Sequence, residues 1–262
     1  MAILELKGVT VRFGGIVAVN SLDLTVEEGA IHGLIGPNGA GKSTVFNVLS
    51  RYYEPAEGTV RFNGKDLLKA EPHDIINMGI ARTFQNVELF KGLSVWDNLM
   101  VGQHHGFKYG VLASCLGTLL PSVRKEEKAA REKALEILDF LGIAAYKDAY
   151  PQFLPYGIQK RVEFARALVG GPKLILLDEP AAGMNTQETH ELAQLIKVMR
   201  DKYKTTVLLV EHDMSLVMSI CEHITVMEFG RKIADGTATE VQNNPAVIKA
   251  YLGEEEEEAA HA

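Results

Sequence analysis

Gly36-Pro37-Asn38-Gly39-Ala40-Gly41-Lys42-Ser43-Thr44 follows the pattern G-x-x-x-x-G-K-[ST]. It stands between a brief apolar run, Ile31–Ile35, and a stretch that sets Val45, Phe46, Val48 and Leu49 on one helical side. Strand, glycine-rich turn and helix in that order form a cradle for phosphate. The glycines let the chain turn tightly, so N–H groups from Asn38, Gly39, Ala40, Gly41 and onward through Thr44 point inward at a helix N-terminus, where an anion is favoured. Lys42 adds a point positive charge for the β- and γ-phosphates, and the Ser43 hydroxyl is a ligand for Mg²⁺. The stretch predicts that the chain binds a nucleoside triphosphate.

Before this loop, apolar and polar residues alternate. Ile3, Leu4 and Leu6, then Val9, Val11 and Phe13, then Leu22, Leu24 and Val26 are broken at Gly14-Gly15 and Glu28-Gly29, a pattern of short antiparallel strands. Thr59–Phe62 with Asn63-Gly64 reads as a further strand and tight turn. From about Gly92 the character is helical, most clearly over Glu126–Leu141, where Ala130, Ala134, Leu138 and Leu141 form a stripe that Gly142 terminates. Strand signals return at Leu174–Leu177 and Thr206–Val210, continuous apolar runs of the kind buried on both faces of a parallel sheet, with Gln187–Lys202 as the helical crossover. Ile224–Met227 and Arg231–Ala234 make two last strands. An α/β core interrupted by a helical insert at roughly 87–155 follows from this order.

Leu174-Ile175-Leu176-Leu177-Asp178-Glu179-Pro180 ends in acid at the sheet edge where open α/β folds bind ligands. Asp178 is placed there to orient Mg²⁺, and Glu179 to polarise an attacking water. The next strand ends in Glu211-His212, far enough on for one crossover helix and a return to the adjacent strand. That spacing sets His212 beside Glu179, in reach of the γ-phosphate.

Composition narrows the class. Of 262 residues 47% are apolar, and 27 basic against 34 acidic residues give a net charge of −7. The acidic run Glu254–Glu258 supplies most of that excess, leaving a near-neutral body unlike a dedicated nucleic-acid binder. Two cysteines, Cys115 and Cys221, are too few for a disulfide framework and point to a reducing, cytosolic setting. The N-terminus lacks the charged start and apolar stretch of a signal peptide. The charge-poor run of residues 109–123 is too short and polar to span a bilayer, so any membrane link is expected to be peripheral.

Taken together, these pieces resemble the nucleotide-binding subunit of ATP-binding-cassette transporters over nearly the whole chain. The resemblance implies an α/β, P-loop NTPase (RecA-like) core with an N-terminal antiparallel β subdomain and an inserted α-helical subdomain. One domain then covers residues 1–253, with its core at about 1–86 and 156–253, its helical subdomain at about 87–155, and an acidic, disordered tail at 254–262. ATP and Mg²⁺ are the implied ligands, and the implied activity is ATP hydrolysis coupled to transport. The family's glutamine loop matches Gln85, which by resemblance contacts Mg²⁺ and water and relays nucleotide state to the transmembrane partner. The aromatic that stacks on adenine matches Phe13. The signature, usually Leu-Ser-Gly-Gly-Gln, stands here as Leu154-Pro155-Tyr156-Gly157-Ile158. Gly157 is retained for the opposite protomer's ATP, but the serine is replaced by Pro155, which has neither hydroxyl nor N–H. That departure implies two unequal sites in a heterodimer with a second ATPase subunit, with a homodimer as the alternative.

Within the family, Phe13-Gly14-Gly15, Ala81-Arg82-Thr83-Phe84-Gln85 and Glu179-Pro180-Ala181-Ala182-Gly183-Met184-Asn185 resemble the branched-chain amino-acid importers, and the stretch between Gly102 and Ser122 resembles the larger of their two ATPases. The implied partners are transmembrane permease subunits, docked near Gln85 and Trp96, and indirectly an extracytoplasmic solute-binding protein; no nucleic acid is expected. The implied location is peripheral, on the cytoplasmic face of the cell membrane. The apolar residues of 107–120 fit either the permease contact or packing on the insert. A lipid or lipopolysaccharide exporter ATPase is the alternative reading. A soluble cassette protein of DNA repair or translation would carry two cassettes or a long coiled coil, and a non-hydrolysing binder would not need Glu179 and His212.

Overall fold

A computed structural model describes residues 1–104 and 121–251 of the chain. The expectations for 107–120, for Cys115 and for the acidic tail lie outside the described residues. In chain order the main elements are β1 (Ala2–Phe13), β2 (Ile16–Glu27), β3 (Ile31–Ile35), α1 (Lys42–Leu49), β4 (Glu57–Phe62), β5 (Lys65–Asp66), α2 (Ile75–Met78), β6 (Ile80–Arg82), α3 (Val95–Gln103), α4 (Pro121–Phe140) and α5 (Tyr156–Val169). They continue with β7 (Leu174–Asp178), α6 (Thr186–Tyr203), β8 (Thr206–Val210), α7 (Met214–Ile220), β9 (His223–Glu228), β10 (Arg231–Gly236) and α8 (Ala238–Gln242). The chain divides into two units, Met1–Ile75 with Lys173–Ala262, and Ile76–Pro172.

The first unit holds two sheets. One is antiparallel in the order β2-β1-β4-β5, with Leu6 opposite Leu24 on one side and Val60 on the other. Leu4, Leu6, Val9 and Val11 of β1 and Val19, Leu22, Leu24 and Val26 of β2 are buried, so the alternation visible in the sequence is the inward face of this sheet. The other sheet runs β10-β9-β3-β8-β7 within this unit, with β3 parallel to both β8 and β9, β7 parallel to β8, and β10 antiparallel to β9. Every residue of β3, β7 and β8 is buried, which accounts for the continuous apolar runs Leu174–Leu177 and Val207–Val210; in β3 the run is split by His32, itself buried and hydrogen-bonded to Thr225.

The register of these strands positions the chemistry. Leu34 of β3 pairs with Val210 of β8, and Val210 pairs with Asp178 of β7. Three parallel strands therefore end side by side, and the segments that follow them leave from one edge of the sheet. Crossover helix α6, between β7 and β8, opens with a capping box in which Asn185 accepts from Gln187 and Glu188 N–H while the Glu188 side chain returns to the Asn185 N–H.

The second unit is chiefly helical. Helix α3 starts at the Ser94 cap and packs on α4 and α5. Asn98, fully buried, accepts from Phe90 N–H and donates to carbonyls of Phe90, Leu93 and Ser94, fixing the approach to α3. Gln103 donates to the Ala130 carbonyl, and Arg161 to the Leu141 carbonyl. This unit reaches beyond the expected insert at 87–155, taking in 76–86 and 156–172. The physical reason is α5, whose buried Val162, Ala165, Leu168 and Val169 belong to a helix that packs against α3 and α4.

No helix among the described residues is long and apolar enough to cross a membrane.

Candidate nucleotide site

The loop between β3 and α1 takes its shape from two glycines that tolerate no side chain. A Cβ on Gly36 would lie 2.0 Å from the Met227 carbonyl oxygen, and one on Gly41 would lie 2.5 Å from that of Ala18. Gly41, at φ 101, is also the residue from which α1 starts. The loop is anchored from the β9–β10 turn, where Gly230 N–H donates to the Ala40 carbonyl and accepts, through its own oxygen, from Asn20 N–H. Lys42 is buried, and its ammonium donates to the carbonyls of Gly36 (2.6 Å) and Pro37 (2.9 Å). The positive charge thus lies folded back over the loop it belongs to.

Residues 38–44, Ala18, Glu179 and His212 line a cavity of ≈ 200 Å³. Asp178 closes β7 and is buried, and Ser43 stands in the first turn of α1. A carboxylate and a hydroxyl are the hard oxygen donors that Mg²⁺ takes, and a cradle of main-chain N–H groups at a helix start suits the phosphates, so the residues present fit both groups.

Glu179 leaves β7 at φ 47, a left-handed conformation that costs a non-glycine residue about 1–3 kcal/mol. Its N–H donates to the Val210 carbonyl at 2.9 Å, and its carboxylate meets His212 Nε2 at 2.9 Å. The contact expected from the spacing of the two strand ends is therefore present. Just behind it sits Glu211, only 3% exposed, whose carboxylate accepts main-chain N–H from Ala181, His212 and Asp213. Burial pushes its pKa up, against the pull of these three donors. Asp213 in turn caps α7 through Ser215 and Leu216 N–H.

The remaining candidates are not among the residues that line this cavity. Phe13 is 44% exposed and pairs edge-on with Tyr53, ring centres 5.0 Å apart, outside the lining residues. Gln85 and Gly157 belong to the helical unit. There, Pro155 occupies the N-cap of α5 without a side-chain cap, and a Cβ on Gly157 would meet nothing within 4 Å. The segment carrying Gln85 is gripped by α5 itself. Glu163 accepts from Phe84 N–H (3.1 Å), and Lys160 donates to the Gln85 carbonyl (3.0 Å).

Lys160 and Glu163 are each 2% exposed and lie 3.9 Å apart. Removing one partner of a buried pair strands the other charge, at a cost of about 3–5 kcal/mol. Lys160→Met is therefore expected to lower the melting temperature well below that of the wild type, with Lys160→Met/Glu163→Gln recovering part of the loss. A Lys160→Met melt that coincides with the wild type would show that the grip carries no load.

Sequence reading missed the roles of Glu211, Lys160 and Glu163. The available signal was a charge placed where the pattern demands burial: an acid closing an apolar strand, and a Lys–Glu pair on the inward face of a helix.

Comparison with known proteins gives a consistent result. Residues 19–182 match the family described as ABC transporter, and residues 231–257 match that described as branched-chain amino acid ATP-binding cassette transporter. The chain is 46% identical to the high-affinity branched-chain amino acid transport ATP-binding protein BraF of Pseudomonas aeruginosa, over 96% of this chain and 98% of that protein. It is 44% identical, with the same coverage, to LivG of Escherichia coli K12, described in the same terms. Among solved structures, a nucleotide-free ATP-binding cassette from an ABC transporter superposes with a TM-score of 0.81 at 33% identity, covering 96% of this chain and 99% of that one. A dimeric cassette in a post-hydrolysis state, bound to ADP and Pi, gives a TM-score of 0.74 at 25% identity, covering 90% and 98%.

Proposed function

The chain belongs to the ATP-binding-cassette transporter family, and from that membership we propose that it is the ATP-hydrolysing subunit that energises uptake of branched-chain amino acids through membrane permeases. The observation that carries the hydrolytic part is the Glu179–His212 bond of 2.9 Å at the mouth of the Lys42 loop. The relatives named above, transport proteins for branched-chain amino acids, support the substrate and leave the exporter alternative without a favouring observation.

In this reading, the N–H groups of the loop and Lys42 hold the triphosphate, and Ser43 and Asp178, with Gln85 by the family resemblance, would hold Mg²⁺, which would supply positive charge to offset that developing on the phosphate oxygens. Glu179 polarises the attacking water, and His212 fixes the Glu179 carboxylate and reaches the γ-phosphate. Phe13 supports adenine. Residues 1–253 act as one cassette, with the helical unit as its subdomain. ATP closes a dimer across two nucleotides and hydrolysis reopens it, and differential affinity for the closed state moves the permeases. The protein then works peripherally, on the cytoplasmic face of the membrane, with a solute-binding protein supplying the amino acid from outside. The test is branched-chain amino-acid uptake by vesicles carrying the assembled transporter. ATP-dependent uptake that fails when the chain is left out supports the proposal, and uptake indifferent to the chain overturns it.

Pro155 gives the pairing a direction. Lacking a hydroxyl, it weakens the site owned by the partner, while Lys42, Glu179 and His212 of this chain stay whole. A different ATPase subunit with its own signature fits that asymmetry. Pro155→Ser is expected to raise ATP turnover at the partner's site of the assembled complex roughly ten- to a hundredfold, by supplying a hydroxyl donor to a phosphate, a charged hydrogen bond worth about 1.5–3 kcal/mol. An unchanged turnover would remove any catalytic cost from Pro155.

A further inference from the structure

We propose that Glu211 is a positioning residue of the hydrolytic site: its buried carboxylate is strung between the segment that follows β7 and the segment that follows β8, and so sets Glu179 and His212 within reach of each other.

The argument starts from the strain at Glu179. A non-glycine residue at φ 47 keeps that conformation only when its surroundings over-determine it. On the near side, Glu179 N–H is tied to Val210. On the far side the chain turns back, with Ala182 N–H donating to the Glu179 carbonyl. Between them, Ala181 N–H donates to Glu211 Oε1 at 2.7 Å. The other oxygen, Oε2, accepts from His212 N–H at 2.9 Å and from Asp213 N–H at 3.3 Å. One carboxylate therefore holds the main chain two residues beyond Glu179 and the main chain of His212 itself.

Only an ionised carboxylate can do this from position 211. Both oxygens act as acceptors, and the two ends face donors on different segments. A glutamine of the same shape offers one acceptor oxygen and one NH₂. In either orientation its NH₂ faces a main-chain N–H, so one of the two segments is released. Aspartate, a methylene shorter, does not span the gap. Glu211 lies outside the lining of the cavity, so it acts on nucleotide only through its neighbours. Its burial also explains why an acid is kept at the end of an otherwise apolar strand: three N–H groups would be left without an acceptor if it were apolar.

This inference rests on the reading of Glu179 and His212 as the hydrolytic pair. The experiment measures Mg-ATP affinity, kcat and KM, and thermal melting for the full chain in its assembled complex, as wild type, Glu211→Gln and Glu179→Gln. Glu211→Gln is expected to bind ATP within about twofold of wild type while kcat falls roughly tenfold to a hundredfold, the scale of a small misplacement of reacting groups. A purely structural role would lower the melting temperature and leave kcat of the folded fraction untouched. Where Glu211→Gln does not fold, Glu211→Asp serves, since the shorter carboxylate keeps acceptors for the His212 and Asp213 N–H groups, releases only the Ala181 segment and turns no NH₂ toward a main-chain N–H. Either folded variant with kcat within twofold of wild type, or with affinity lost in proportion to rate, overturns the role assigned to Glu211. If Glu179→Gln also turns over ATP like the wild type, the hydrolytic reading itself falls, and this proposal with it.

Discussion

Lys42→Ala is expected to weaken ATP binding by at least ten- to a hundredfold while leaving the fold intact. A hydrogen bond to a charged group contributes about 1.5–3 kcal/mol, and 1.4 kcal/mol is a factor of ten in Kd. Lys42 is the cation at the base of the loop, and its reach is set by the turn it sits on. Its ammonium is held by the Gly36 and Pro37 carbonyls, so it needs little rearrangement to face a phosphate arriving over residues 38–41. The fold survives because the loop is built on other parts: the close approaches at Gly36 and Gly41, and the Gly230–Ala40 bond from the neighbouring hairpin. Alanine is also the best helix former at the first position of α1. Lys42→Arg is no substitute, since a planar fork does not occupy the place of a compact ammonium. Calorimetric titration with Mg-ATP, alongside a thermal melt of the apo protein, separates the two effects. Equal affinity in wild type and Lys42→Ala would remove the foundation of the nucleotide reading.

The second large effect is expected from Glu179→Gln, and it falls on rate instead of affinity. The amide keeps the shape and the hydrogen-bonding oxygen that meets His212, but it has no basicity to offer a water molecule. Loss of a positioned general base typically costs 10²–10⁴-fold, so kcat should fall by roughly that factor with ATP affinity little changed. Phosphate release at saturating Mg-ATP measures it. Turnover within a few-fold of wild type would show that Glu179 does not activate the water, and would reopen the reading of this chain as a nucleotide-binding regulator.

The parts of the site legible in the sequence are those whose geometry is local. The phosphate loop is one continuous stretch bounded by a strand and a helix. Asp178 and Glu179 follow a strand recognisable by its apolar run, and His212 follows another. The convergence of Glu179 and His212 needed only the rule that parallel strands joined by a helix lie adjacent, and the pairing of Asp178 with Val210 is that rule made concrete; the pairing of Leu34 with Val210 joins strands far apart in the chain and follows from no such local connection. What the sequence hid are contacts between a side chain and a distant main-chain N–H or carbonyl. Glu211 to Ala181, Glu163 to Phe84 and Lys160 to Gln85 leave no periodicity, because the main-chain groups they use are the same in every residue. The boundary of the helical unit was hidden for a related reason. Helix α5 follows the signature and leads toward β7, so its order along the chain assigns it to the core, whereas its apolar face packs on α3 and α4.

The side-by-side endings of β3, β8 and β7 also bear on how such a chain can diversify. What separates β3 from β7 along the chain includes an antiparallel hairpin partner and an entire helical unit, yet Leu34 of β3 pairs with Val210, the same residue that pairs with Asp178 of β7. Segments spliced between the strands can be lengthened, shortened or exchanged, and so adapt to new neighbours, while a single residue added inside any of the three strands would shift one chemical group against the others. Evolutionary freedom in this architecture lies in its detours, and its rigidity lies in a few ladder rungs.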